Sequence, residues 1–421
     1  MTSTDRFEQR LPDLMADLAA ARIPDYFDHM LQEAARTRQR PAWSSLERWL
    51  PMGVTTLSPV SSRARPLAGL LVLALVGLLV LAGVAAYVGS HTVHLPAPFG
   101  PAANGLMYYS GDDGDIYSVD PAKGAPKAIV AGPSTDTGPL PSRDGRRIAF
   151  TRSVAGGDEI VVADADGSNL HALPGTLTNF SEIDWSPDGT HLAIISDVTG
   201  LASLTVVATD GSGATTLPLA LETRGFWYLP DGRLVFKGID HGAGGPTYGI
   251  YIVNADGTGL KSVMPPTSGE GDVIDVNPSP DGRSLVYHVW RDAPFEHGRL
   301  YVVDIASGQV RPVVVDGTAP EEAFEGAQYS PDGSHILFAR YKADGDRLAV
   351  VPVGGGAAIS IGPTFVDSQT PVNYYSPDGR SIVAYYPGRG ETWLLDPTGH
   401  DPDRKLDLQI SDAPAWQRVA P

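Results

Sequence analysis

"WSPDGTHLAI", Trp185–Ile194, sets Ser, Pro, Asp and Gly between two apolar runs. In such a stretch Pro187 pre-sets the φ of the second position of a type I turn, and Asp188 suits the third. Gly189 takes the left-handed conformation that returns the chain, and Ser186 can bond its hydroxyl to the turn backbone. The unit reads as a hairpin between strands, with its aspartate as punctuation. It also recurs. "PSRDG" (Asp144), "WSPDG" (Asp188), "YLPDG" (Asp231), "PSPDG" (Asp281) and two copies of "YSPDG" (Asp332, Asp378) are spaced by 44, 43, 50, 51 and 46 residues.

Each turn leads into an apolar run such as "RIAFTR", "HLAIIS" or "HILFARY". A second run follows, such as "IVVADADG", "IYIVNADG" or "LYVVDIASG", and then a short segment such as "LHAL", "ATTLPL" or "QVRPVVV". Short runs rich in Val, Ile, Tyr and Leu, bounded by Gly, Pro and Asp, are strands. Four antiparallel strands (A to D, outward from the axis) in a repeat of about 45 residues make one blade of a β-propeller. The first repeat, "GLMYYS", opens on a B strand with no A strand before it, and "DAPAWQRVA" closes the chain as an A strand with nothing after. Joining Pro414–Val419 to Leu106–Ser110, Ile116–Asp120 and Pro126–Val130 completes a blade. With the six turns this predicts an all-β, seven-bladed propeller over residues 105–421 whose closure hides its sheet edges.

The "P-x-W-S-P-D-G-x-x-I/L-A-F" repeat followed by "I/L-Y-V-V-D" resembles the WD-like repeat of TolB-like propellers. That resemblance implies a platform for proteins or ligands, or, fused to other domains, a specificity filter of peptidases.

Charge divides the chain. Residues 1–66 hold nine arginines against eight acids, and the remainder holds 22 bases against 41 acids. So acidic a main domain excludes a nucleic-acid backbone as partner, since phosphate binding needs a basic surface. There is no cysteine, which removes disulfides and thiolate chemistry.

"LAGLLVLALVGLLVLAGVAAYV", Leu67–Val88, is 22 residues without a charge. At 1.5 Å per residue it reaches about 33 Å, enough for a bilayer core. Arg63 and Arg65 precede it, and no Lys or Arg follows until Lys123. The positive-inside rule then puts the N-terminus in the cytoplasm and the acidic domain outside a cell membrane, with one span over 67–89 and a stiff stalk over 90–104.

Residues 1–66 are patterned as a cytoplasmic helical segment, with Pro12, Pro24 and Pro41 each able to open a helix. Phe27, Met30 and Leu31 form one apolar stripe, and Trp43, Leu46 and Trp49 a second. Either they contact the inner leaflet or they dock a cytosolic protein. The layout of helical segment, span and external domain resembles membrane anti-sigma factors of bacteria, though their His and Cys zinc motif is absent.

Catalytic and cofactor motifs are not found. There is no Gly-x-Ser-x-Gly elbow, Walker loop or dinucleotide fingerprint. His91 and His94 sit in the stalk, and the acidic turns around Asp112–Asp115 and Asp164–Asp166 lack the spacing of a calcium loop. No cofactor or metal is therefore expected. Long, irregular D–A and B–C loops gather on one face, opposite the stereotyped A–B turns. Since binding residues concentrate on loops carried by a rigid scaffold, this face supplies the candidates: His241, Tyr248, Arg291, Phe295, Glu296, Glu321, Glu322, Phe324 and Asp367. The expectation is a membrane-anchored, non-catalytic module for a protein, peptide or glycan ligand, not an enzyme. The alternatives are a signal transducer acting through residues 1–50, and a hydrolase or lyase with its site in the central channel.

Overall fold

The structure, a computed structural model, describes residues 74–80 and 96–420, save the loops 175–179, 198–201, 243–245, 268–271, 291–298, 320–321, 367–369 and 411–412. Residues 74–80 are helical and exposed. The rest of the expected membrane span lies outside the described residues, and no helix among the described residues is long and apolar enough to cross a membrane. Phe27, Met30, Leu31, Trp43, Leu46 and Trp49 also lie outside them.

From Ala103 onward the chain forms seven four-stranded antiparallel sheets. Blade I takes its innermost strand, Ala415–Val419, from the C-terminal end and its other three, Ala103–Ser110, Ile116–Val119 and Lys127–Val130, from the start of the ring. The innermost strands of blades II to VII are Asp136–Pro141, Phe180–Trp185, Glu222–Tyr228, Asp272–Pro278, Ala323–Tyr329 and Val372–Tyr375. The seven-bladed all-β architecture and its closure are as the repeat predicts.

The continuous apolar runs follow from burial on both faces of each sheet. Successive side chains of a strand point to opposite faces, so Ile336 and Phe338 enter the core between blades V and VI, while Leu337 and Ala339 enter the one between VI and VII. Among the described residues seven such clusters form, one at each seam of the ring. Each fully buried Leu, Ile or Phe contributes about 1.5–3 kcal/mol relative to exposure, so the ring is held by its seams rather than by one central core.

The turn does more than reverse the chain. Ser186 Oγ donates to Asp188 Oδ1 at 2.7 Å and accepts the His191 amide at 2.9 Å. Asp188 Oδ1 also accepts the Thr190 amide at 3.0 Å. The same three bonds recur around Asp144, Asp281, Asp332 and Asp378. Burial raises these carboxyls, but for Asp188, Asp281, Asp332 and Asp378 the donated hydrogen bonds outweigh it and hold them below the usual carboxylate range. Trp185 Nε1 donates to Leu140 O at 2.9 Å, tying blade III to blade II.

Two turn glycines separate conformational strain from closure. Both have positive φ, 71° at Gly145 and 85° at Gly232. A Cβ at Gly232 meets nothing within 4 Å, whereas one at Gly145 collides with the Arg418 carbonyl oxygen of the closing strand. Gly232→Ala is expected to cost about 1–2 kcal/mol, the price of the left-handed conformation. Gly145→Ala should cost at least about 3 kcal/mol by urea unfolding, because the ring must open to admit the methyl. Equal losses would show that the contact with the closing strand carries no stability.

Candidate functional site

Three innermost strands carry a glycine in the left-handed region: Gly138, Gly225 and Gly326, at φ 64°, 52° and 63°. Each sits where the pairing register slips, between Thr137 and Leu140, Arg224 and Phe226, and Glu325 and Gln328. These are β-bulges, which bend a strand and re-aim its neighbours. A Cβ at any of the three would meet nothing within 4 Å. The wall of the ring is therefore bare at these points, and a cavity of about 830 Å³ runs along the axis.

Polar side chains from the innermost strands line it, among them Glu182, Arg224, Asn277, Gln328 and Asn373, with Trp227 as a flat apolar face. They are fixed by one another. Asn277 Nδ2 donates to Ala327 O at 2.8 Å, and Gln328 Nε2 donates to Asn373 Oδ1 at 2.7 Å. Glu182 Oε2 accepts the Phe226 amide at 3.3 Å. Lys237, paired in register with Arg224, stands 5.1 Å over the Tyr248 ring. A second cavity, about 790 Å³, opens on the turn side between blades III and IV. Its carboxylates Asp188, Asp231 and Asp256 are each taken up by their own turns.

At the loop-side rim, acids at the heads of innermost strands meet bases from the next strand. Asp136 holds Arg152 at 2.7 and 2.8 Å, and Glu322 holds Arg340 at 2.7 Å. In blade IV the base is a histidine: His241 Nε2 lies 2.6 Å from Glu222 Oε2, while Arg224 Nε donates to Glu222 Oε1 at 2.7 Å. The His241 bond, then Arg224, hold the Glu222 carboxyl below its ordinary range. The arginine pairs are permanent clamps. The histidine pair is different, because imidazole is the side chain that exchanges protons near neutrality and His241 is 51 % exposed. A carboxylate that fixes one ring nitrogen leaves Nδ1 to take or give a proton, which is the geometry of general acid–base catalysis.

The expected loop contacts divide accordingly. His241 is at the rim, and Tyr248 is half-buried beneath Lys237. Two expectations are corrected. Phe324 is 1 % exposed in the core between blades V and VI, with its ring edge-on to Phe338 at 5.0 Å, and Glu322 is 4 % exposed in its ion pair. Phe324 lies in the innermost strand of blade VI and Glu322 one residue before its start. Arg291, Phe295, Glu296, Glu321 and Asp367 fall outside the described residues. Missed altogether were Glu182, Glu222, Arg224 and the amides of the channel. For Glu222, Arg224 and Gln328 the signal was the glycine inside "ETRGFWY" and "AFEGAQY", which marks a bulge; the strands of Glu182, Asn277 and Asn373 carry no such mark.

The turn-side mouth is built differently. Five of the six turns carry proline before the aspartate, and Arg143 stands in the sixth. Its Nη2 donates to both oxygens of Asp184 at 2.8 Å, its Nε donates to Trp185 O at 3.3 Å, and the guanidinium lies 4.2 Å from the Phe99 ring centre. Phe99 belongs to a strap, residues 97–102, that crosses this mouth. Arg418 Nη2 donates to Ala97 O and Gly100 O at 2.9 and 2.6 Å, and the Ala102 amide donates to Pro377 O at 2.9 Å.

No protein-family model and no curated protein matches this sequence. Solved structures do. The tricorn protease is similar at 12 % identity and TM-score 0.56 over 78 % of this chain, which spans 36 % of the tricorn chain. Oligogalacturonate lyase from Vibrio parahaemolyticus is similar at 12 % identity and TM-score 0.53, covering 74 % of this chain and 86 % of its own. TolB from Acinetobacter baumannii is similar at 17 % identity and TM-score 0.47, covering 74 % and 82 %. At these identities the likeness is one of fold, and TolB-like propellers are among the folds it reaches. The expectation of a non-catalytic module that is not an enzyme is corrected here: of the three similar structures just named, the two with TM-scores over 0.5 are a protease and a lyase.

Arg143→Pro restores the turn consensus yet strands Asp184, a buried carboxylate that otherwise keeps, among the described residues, the Trp185 and Tyr228 amides as donors. Losing one partner of a buried pair costs about 3–5 kcal/mol. We expect a loss near the lower figure by urea unfolding, mostly recovered by adding Asp184→Asn. A neutral Arg143→Pro would mean that the bridge between blades II and III is idle.

Proposed function

We propose that this chain is a propeller enzyme of the hydrolase or lyase class, with its substrate bound in the central channel from the rim that carries Glu222 and His241. The observation that carries this reading is His241, held at 2.6 Å by Glu222, whose other oxygen is bonded by Arg224, a residue that lines the cavity of about 830 Å³. In this reading His241 moves the proton, Glu222 fixes its Nε2–H tautomer, and Arg224 steadies an anionic oxygen of the substrate. Trp227 and the amides of Asn277, Gln328 and Asn373 suit a sugar or peptide, giving a flat face and paired donors and acceptors. No Gly-x-Ser-x-Gly elbow is present, which favours proton transfer over an acyl-enzyme route. The lyase likeness supports acidic oligosaccharide as the first substrate to try, and the protease likeness peptides as the second.

The full-length chain should turn over one of these classes, followed by absorbance of an unsaturated sugar product or by peptide cleavage. His241→Ala should lower the rate by about 100-fold or more, the ordinary worth of a positioned acid–base group. Failure with both classes, or full activity in His241→Ala, would sink the reading.

We further infer that the enzyme is membrane-anchored by one span, Leu67–Val88, with the propeller on the extracytoplasmic side. The uncharged run of 22 residues and the arginines before it support this. In sealed inside-out vesicles the propeller should resist added protease, and its digestion there would reverse the topology.

A further inference from the structure

We propose that Arg418, at the turn-side end of the channel, is an oxyanion site whose Nη2 is now occupied by the strap. A carboxylate or phosphate group of a ligand would take the place of the Ala97 and Gly100 carbonyls, and the strap would leave the mouth. The proposal rests on reading the channel as the ligand site, but not on any catalytic step there.

The argument begins with charge. Arg143, Arg152, Arg224 and Arg340 each contact a carboxylate. Arg418 contacts none among the described residues: its recorded bonds are to two neutral carbonyls, and its buried Nε has no partner. Burial draws its guanidinium down from the ordinary value to about 10, with the charge of Arg143 a lesser cause. A cation taken out of water beside a like charge, with only neutral acceptors, is poorly compensated. Carbonyls satisfy the direction of an N–H donor but bring no negative charge. An oxyanion supplies both, and a guanidinium presents the planar fork that matches one.

The strap is shaped as a removable stand-in. Pro98 and Pro101 stiffen it, with Pro96 just before it, and Gly100, at φ 79°, makes the turn between its two bonded carbonyls. It adds no strand to any sheet. Its recorded attachments are the two Arg418 bonds, Phe99 against Arg143 and the blade III–IV core, and the Ala102 amide. Pro98, Phe99, Gly100 and Arg418 all face the channel cavity, so a ligand inside it meets strap and guanidinium together.

The absence of cysteine makes the test clean. Ala97→Cys in the full-length chain accepts a single environment-sensitive dye at an exposed strap position. D-Galacturonate, inorganic phosphate and neutral D-galactose are titrated in turn. We expect a saturable change with one or both anions, weakening as salt is raised, and none with galactose. Response to galacturonate alone marks an acidic sugar as the source of the oxyanion, and response to phosphate alone marks a phosphate-bearing ligand. Arg418→Gln should weaken the anion about tenfold or more, one charge-assisted contact being worth roughly that factor. Phe99→Ala keeps the guanidinium and loosens its competitor, so it should tighten anion binding several-fold even where Arg418→Gln folds poorly. No response to either anion, or the same affinity in Arg418→Gln and Phe99→Ala as in the parent, overturns the proposal. An anion response without turnover sinks only the catalytic reading, and turnover without an anion response sinks only this site.

Discussion

The pairing of Ala415–Val419 with Ala103–Ser110 is the constraint on which the rest depends. Its register, Ala103 with Val419, Asn104 with Arg418 and Met107 with Trp416, joins residues more than 300 apart in the chain. It converts an open row of blades into a ring with no free inner edge. It also decides what lies at the turn-side mouth. Because Ala103 begins the outer partner of the closing strand, the residues just before it must cross the end of the channel. Because Arg418 is on the closing strand itself, its guanidinium meets them there. Strap and cation are neighbours by topology, whatever else they do.

Regularity and chemistry are complementary in this molecule. Five of the six repeated aspartates are bonded within their own turns by a serine hydroxyl and an amide, and those bonds are what keep Asp188, Asp281, Asp332 and Asp378 below the usual carboxylate range. A carboxylate so occupied has little left for a ligand. The groups with capacity to spare stand where the repeat breaks. Arg143 replaces a turn proline and reaches into the next blade. His241 replaces the arginine that clamps the rim acid in blades II and VI. Each departure exchanges a structural part for one able to exchange protons or hold another segment.

The same contrast explains what could be read from residues alone. Blade count, strand order and the closing strand followed from the period of the turn and from the unmatched strands at the two ends, because both record backbone geometry. The channel did not follow. Its lining is set by which innermost residues face the axis, and a bulge shifts that parity by one within a strand. Glu182, Arg224 and Gln328 thus look like ordinary strand positions until the pairing is known. Glu322 and Phe324 failed for a related reason: the segment 316–325 reads as loop by composition, yet its last residues already pair with the next strand or sit in a buried ion pair. His241 was legible as a loop residue but not as a partner of Glu222, which precedes it by 19 positions.

Electrostatics sets a last condition on any ligand of the channel. The chain carries a net charge of −18, so an anion is repelled at long range, though at physiological salt that field is screened beyond about 8 Å. Within the channel the balance is local, and there Arg418 is a cation that meets no carboxylate among the described residues and stands beside a second cation, Arg143. Buried charges are screened far less than surface ones, so the short-range attraction persists where the long-range repulsion does not. A free anion therefore binds on this local attraction alone, and the rest of a larger molecule adds to it. That favours a ligand with a neutral or aromatic-stacking portion seated against Trp227 and the amides, and its charge reaching the far end, over a free small anion.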